Sequence, residues 1–223
     1  MAMRLFPGLM PLYDSPPGKP EGMPGIYRLL EALGAAGHQV HFIGIVNPSI
    51  DQAPERGLDG ASFEVAGTRF HLIELPRVKL FVSLWGKTPF AEVLALYRQV
   101  SLFFRLKGAI KRLRPDVMYM GTPSHVVGAL CGKSAGIPTV LKFYGVHLLY
   151  PSLGSLKAFL RDPLPRFAFK MPAALFLIDN DGTHGDRVAE YYGVPKGKVE
   201  FWINGLDKQA CRPNLDRDDV QRI

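Results

Sequence analysis

Four stretches of the sequence carry residues able to do chemistry. Tyr144-Gly145-Val146-His147 follows the apolar run Pro138 to Phe143, which reads as a strand, and ligands of open α/β sheets gather at the carboxyl ends of strands. His147 would there be a catalyst or a hydrogen-bond donor, or simply a satisfied structural side chain. Asp179-Asn180-Asp181 ends the next apolar run, Ala173 to Ile178. Two carboxylates so spaced can hold a divalent cation on a diphosphate, while Asp181 equally suits the N-cap of the helix expected to follow. Gly22 and Gly25 lead into a helical pattern, where bare backbone amides and the helix dipole favour an anion. The spacing is not the GxGxxG of a plain dinucleotide fold. Asn204-Gly205 closes the run Val199 to Ile203 with a turn able to take positive φ.

A further feature that could meet a ligand is charge. Of the net +7, the segment from Arg77 to Arg114 holds nine bases against Glu92 alone, so it carries +8 and the rest of the chain −1. Arg98, Arg105 and Arg112 recur every seven residues, which puts them along one stripe of a helix. Such a stripe is either a solvated face or a surface for anionic lipid or a phosphorylated acceptor, with Leu80-Phe81-Val82 and Trp85 as the apolar companion. No nucleic-acid-binding motif accompanies the charge.

The elements that must position these residues alternate. Met3 to Phe6 is a short strand clipped by Pro7, and Pro11 to Pro24 is Pro- and Gly-rich loop. Ile26, Leu29, Leu30 and Leu33 recur at helical spacing, Gly37 ends that helix, and Val40 to Val46 is a strand, completing a βαβ unit. Ala61 to Ala66 and Thr68 to Leu75, split by Gly67, read as a hairpin or two sheet strands. Thr88-Pro89 starts a helix reaching about Leu113. Val117 to Met120 is a strand, Ser124 to Ala135 a helix, Pro138 to Phe143 a strand, and Leu153 to Phe169 a helix broken by Pro163 and Pro165. The strand Ala173 to Ile178, a helix to Tyr192 and the strand from Val199 complete the set. The fold expected is α/β: a Rossmann-like, doubly wound, mostly parallel sheet flanked by helices.

With 47% hydrophobic and 21% charged residues, 223 residues can bury a core and favour one large domain. Two cysteines, Cys131 and Cys211, make neither a disulfide framework nor a zinc site, which points to a reducing compartment. No apolar run reaches bilayer length and no signal-peptide layout opens the chain, so a cytoplasmic protein is expected.

Several of these stretches together resemble glycosyltransferase family 4, the retaining GT-B type. Asn204, Gly205, Asp207 and Pro213 match the family's closing NG(V/L)D…F.P turn, with Cys211 in place of phenylalanine. Arg114-Pro115-Asp116-Val117, then Gly136-Ile137-Pro138, match the family's RPDv and GiP segments in order, and Gly37-His38-Gln39-Val40 follows the first helix. Departures are Pro24-Gly25 for the usual Gly-Gly, Tyr144-Gly145 for His-Gly, and no serine near Asp179.

The resemblance implies an N-terminal, acceptor-binding GT-B domain over 1–208, with 209–223 leading towards a C-terminal donor-binding domain. It implies Tyr144 and His147 as catalytic, and Gly22, Gly25, Asp179, Asn180, Asn204 and Gly205 as substrate-binding. Arg98, Arg105 and Arg112 would form a membrane or acceptor surface. The donor would be a UDP- or GDP-sugar held by the other domain, the acceptor a glycan or lipid-linked molecule, and this domain would bind no cofactor and no metal. The location implied is cytoplasmic, peripheral to the inner face of the membrane. The alternatives are a membrane-associated, non-catalytic binding module, or a metal-dependent GT-A enzyme using Asp179 and Asp181.

Overall fold

The computed structural model describes residues 2–4, 24–46, 60, 62–65, 67–76, 89–122, 124–147, 149–161, 163–180 and 182–202. Among them, eight strands form one sheet. In chain order the elements are β1 (Ala2–Arg4), α1 (Pro24–Ala35), β2 (Val40–Val46), β3 (Ser62–Val65), β4 (Thr68–Glu74), α2 (Pro89–Leu113), β5 (Met118–Met120), α3 (His125–Ala135) and β6 (Thr139–Phe143). Then follow α4 (Leu156–Arg161), α5 (Pro163–Ala168), β7 (Leu175–Asp179), α6 (Gly185–Tyr191) and β8 (Val199–Trp202). Short 3-10 turns, Tyr150–Ser152 and Lys196–Lys198, precede α4 and β8.

The strand order is β3-β4-β2-β1-β5-β6-β7-β8. Every pairing is parallel except the β3/β4 hairpin. The chain works outward from β1 to β4 on one side, then returns through α2 to β5 on the other, so the order reverses between β1 and β5. This is the doubly wound topology expected. The two runs around Gly67 satisfy both readings at once: β3 and β4 form a hairpin, and β4 also pairs in parallel with β2, from Val40↔Thr68 to Val46↔Glu74. Gly67 sits at φ 74, a conformation that a side chain resists.

Parallel strands are covered on both faces, hence their apolar runs. One face carries Ile43, Ile45, Ile73, Met118, Met120, Leu141, Phe143, Phe176 and Ile178, packed with Leu102, Leu106, Ala109 and Ile110 of α2, Val127, Ala129 and Cys131 of α3, and Val188 of α6. On the other face α1 lies against β2 and β4 with Ile26 and Leu30 buried, and the Phe42 and Phe70 rings meet at 5.0 Å. Two glycines set the helix-to-sheet distance. A Cβ on Gly132 would lie 2.0 Å from Thr139 Oγ1, and one on Gly185 would lie 2.6 Å from Ile178 Cγ2, so α3 and α6 press closer to the sheet than alanine would allow.

Some boundaries differ from expectation. The first strand is three residues, Ala2–Arg4, because a single short segment suffices to seat between β2 and β5. Pro163 does break the helical stretch after Leu153, but Pro165 lies inside α5, in the first turn, where its missing N–H would lack an intrahelical partner anyway. The helix after β7 starts at Gly185 with His184 as its N-cap, not Asp181. The intervening Gly182 at φ 80 and His184 at φ 59 turn the chain before the helix begins.

Candidate functional site

The carboxyl ends of β6 and β7 are joined by a buried ion pair. Lys142 Nζ meets Asp179 Oδ1, with side chains only 5% and 3% exposed. Lys142 is the residue before the last of β6 and Asp179 is the last of β7, on the sheet face opposite Leu141 and Phe143. The ammonium also lies 5.5 Å from the Tyr144 ring centre and 5.7 Å from that of Trp202, so aromatic faces supply part of the solvation that burial removes. Tyr144 is hydrogen-bonded to Tyr119 on β5; burial and the Asp179 charge push the Tyr144 phenol up to about 12, and burial raises Tyr119 further. Both phenols are therefore neutral at physiological pH, with Tyr119 donating to the Tyr144 oxygen.

His125, at the first turn of α3, supports the same strand from the opposite face. Its Nε2 lies 2.6 Å from the Lys142 carbonyl oxygen. A carbonyl only accepts, so Nε2 carries the proton and Nδ1 is the acceptor of a neutral ring. Burial lowers its pKa to about 4, although the carbonyl bond opposes the shift. The ring stacks on Phe143 at 4.3 Å, and Phe143 stacks on Phe169 at 4.3 Å.

Beyond β6 the chain turns through Gly145 at φ 96. The Val146 N–H donates to Thr183 Oγ1 at 2.9 Å, tying the loop after β6 to the loop after β7. His184 holds a left-handed backbone conformation, uncommon for a side chain of its size, and its ring lies 4.4 Å from that of Tyr150. Between the loop after β6, the start of α3 and the start of α5 lies a cavity of about 420 Å³. Tyr144 and His147 both line it, with Thr122 and His125 as the other polar side chains. A second depression, about 310 Å³, lies beside Ala173 and Phe176 at the opposite end of β7, away from these residues.

The structure thus brings Tyr144, His147 and Asp179 to one edge of the sheet but gives them different surroundings. His147 is exposed at the cavity, Tyr144 is half-buried, and Asp179 is enclosed with Lys142. The Asp179 carboxylate is engaged by Lys142 instead of lying open to a cation, and among the described residues no group of three or more His, Cys, Asp or Glu converges. Asn180 is exposed; its N–H donates to the Trp202 carbonyl at 2.7 Å, closing β7 on β8. Gly25 lies in the first turn of α1. Gly22, Asp181, Asn204 and Gly205 lie outside the described residues, as does the expected domain boundary after 208.

The arginine stripe needs correction as a solvent face. Arg98 and Arg105 are half-buried on the flank of α2, leaving Arg112 exposed. The face of α2 turned fully outward is apolar: Leu96, Tyr97, Val100 and Phe104 are 65%, 54%, 47% and 67% exposed, followed along the same face by exposed Lys107 and Lys111. A heptad spacing fixes which residues share a stripe, but only the position of the core fixes which stripe faces water.

A family profile, the glycosyl transferase 4-like domain, matches residues 24–205. The chain belongs to that family. The expected resemblance to an N-terminal domain of a GT-B glycosyltransferase is met by this membership and by the doubly wound sheet. Among solved structures the chain is similar to the calicheamicin glycosyltransferase CalG4, with 13% identity and a TM-score of 0.47 over 81% of this chain and 49% of that one. It is also similar to UGT73P12 of Glycyrrhiza uralensis, complexed with glycyrrhetinic acid 3-O-monoglucuronide, with 14% identity and a TM-score of 0.46 over 98% of this chain and 50% of that one. The chain spans about half the length of these structures. No curated protein matches it.

Sequence reasoning missed Lys142 and His125. Lys142 stands inside the apolar run of β6, and a charge within a parallel-strand pattern signals a buried partner. His125 sits where a helix opens after a strand, a place shared by many structural residues. Removing one member of a buried pair strands the other charge. Lys142→Met is therefore expected to lower unfolding free energy by about 3–5 kcal/mol, and the double variant Lys142→Met/Asp179→Leu to recover much of it, as read from urea unfolding curves.

His125 gives a pH dependence with a definite sign. The folded state holds the ring neutral down to about pH 4, whereas an unfolded chain takes up the proton near 6.5. Its contribution is fully present above 6.5 and is lost as pH falls from there to about 4, by roughly 3 kcal/mol. Comparing unfolding curves at pH 7 and pH 4.5, His125→Gln should show a visibly shallower loss than the parent chain.

Proposed function

We propose that the chain is the acceptor-binding half of a retaining glycosyltransferase, a hexosyltransferase working with a second, donor-binding domain. The observation that carries the reading is the cavity at the carboxyl ends of β5 and β6, reached by Tyr144 and His147, in a chain of the glycosyl transferase 4-like family. A UDP- or GDP-sugar, held mainly by the other half, would present its anomeric carbon above this edge. The acceptor hydroxyl oxygen would bond to that carbon as the bond to the nucleotide phosphate breaks, and its proton would leave with the departing nucleoside diphosphate.

In this reading the residues of the chain position and stabilise. His147, exposed at the cavity, hydrogen-bonds the acceptor or the leaving phosphate, and Tyr144 shapes the wall. Lys142 and Asp179 hold the β6 and β7 ends in place without touching substrate, and His125 holds the β6 end while its ring forms part of the cavity wall. Gly22, Gly25, Asn180, Asn204 and Gly205 remain proposed substrate-binding residues. Radiolabel transfer from UDP- and GDP-sugars by the whole protein, with anomeric configuration read by NMR, tests the activity. His147→Ala is expected to lower kcat/KM by roughly a hundredfold or more without moving the unfolding midpoint. Unchanged transfer by that variant would remove the role of His147, and an inverted product would remove the retaining mechanism.

Location follows from α2 rather than from the arginine stripe. The occupant we propose for its outer face is an anionic bilayer at the cytoplasmic surface. Leu96, Val100 and Phe104 would enter the interface, and Lys107 and Lys111 would meet anionic headgroups, a match of apolar and cationic groups on one helix face. Among the described residues no helix is long and apolar enough to cross a membrane, so attachment would be peripheral. Val100→Glu/Phe104→Glu should stay folded yet reduce cosedimentation with phosphatidylserine vesicles at least about tenfold, with salt weakening the parent chain too. If the parent ignores such vesicles at low ionic strength, the face belongs to something other than lipid.

A further inference from the structure

The walls of the cavity are made by Val126, Phe143, Val146, Leu149, Leu164 and Pro165. No lysine, arginine, aspartate or glutamate among the described residues lines it. Each polar side chain that does is either engaged elsewhere or near the mouth. His125 is 5% exposed, neutral, and gives its Nε2 proton to the Lys142 carbonyl. The Tyr144 hydroxyl is bonded to that of Tyr119. Thr122 and His147 are the exposed pair. Thr122 and His147 thus sit at the rim, and the described side chains within are hydrocarbon apart from His125 and Tyr144.

A glycan entering this space would bring a hydroxyl on almost every carbon, far more than the few polar side chains among the described lining residues could partner, and the rest would lose water without recompense. An anionic headgroup would find no cation among the described residues inside. At about 420 Å³ the space lies within the range that holds a small organic ligand, and its lining is of the mostly apolar kind with a few polar groups that such sites share. We propose that the acceptor recognised at this cavity is an apolar alcohol, a hydrocarbon chain or ring skeleton carrying a hydroxyl, and not a glycan. This rests on the reading of the chain as an acceptor-binding half. The hydrocarbon body fills the space between α3, the loop after β6 and α5, and the hydroxyl points outward past Thr122 and His147 towards the donor.

The test is direct binding by the 223-residue chain, followed by calorimetry and by NMR of the histidine ring protons. The probes are farnesol for a flexible chain, 2-naphthol for a rigid ring, and maltotriose for a glycan. At least one alcohol should bind more than about tenfold more tightly than maltotriose and shift the His125 and His147 signals. Whichever alcohol wins tells chain from ring. Thr122→Phe, which fills the mouth from an exposed position, should weaken that alcohol by about tenfold or more, and Leu164→Glu should do the same by placing a charge inside. Maltotriose binding as tightly as either alcohol, no binding of either alcohol, or indifference to Thr122→Phe overturns the proposal. Transfer by the whole protein to maltotriose but to neither alcohol would remove the apolar class and leave the transferase reading intact. Alcohol binding without transfer from any nucleotide sugar would do the reverse.

Discussion

Two full charges sit inside this sheet, and the arrangement of its carboxyl edge depends on their meeting. A buried ammonium or carboxylate alone costs several kcal/mol, so β6 and β7 must place Lys142 and Asp179 together. That requirement fixes the relative height of the two strand ends, already paired from Val140↔Leu175 to Phe143↔Ile178. Tyr144 and Trp202 then close over the ammonium. Tyr119 extends the constraint to β5 through its bond to Tyr144. A continuous polar layer thus runs from β5 to β8 on the face opposite the main core.

The other face of the same strand end is held by different forces. His125 reaches from the start of α3 to the Lys142 carbonyl, and its ring joins the stack with Phe143 and Phe169. Stacked rings of this kind add a little to ordinary apolar burial and, more importantly, fix orientation. The cavity opens where this packing ends. Its walls are therefore backed by a rigid strand, a helix start and α5, while Thr122 and His147, in the loops after β5 and β6, stand at its mouth. A rigid apolar wall with a polar, loop-built rim suits positioning a molecule by its body and presenting one end.

The family signal and the site are carried by different parts of the chain. The segments at Arg114-Pro115 and Gly136-Ile137-Pro138 lie at strand joins, where backbone geometry restricts residue type. Gly136, for instance, ends α3 in the left-handed conformation. Such positions report the architecture. The side chains that distinguish this protein, Tyr144, His147, Lys142 and the cavity wall, stand between them and follow its own chemistry.

Local pattern alone determined most of the elements. The apolar period of two or of 3.6 residues, with Gly and Pro at the joins, located β2, β4, α2, α3 and β7 to within a residue or two, and the alternation of strands and helices implied the parallel sheet. It also brought out Tyr144, His147 and Asp179, because each follows or ends an apolar strand. Three things required the tertiary structure. Asp179 was legible as a carboxylate but not as the partner of Lys142, since the two are 37 residues apart and meet only through strand pairing. Arg98, Arg105 and Arg112 were legible as a stripe, but the core's position turned Leu96, Val100 and Phe104 outward instead. The cavity was not legible, because its walls come from α3, the loop after β6 and α5, and a concave surface exists only once separate elements pack.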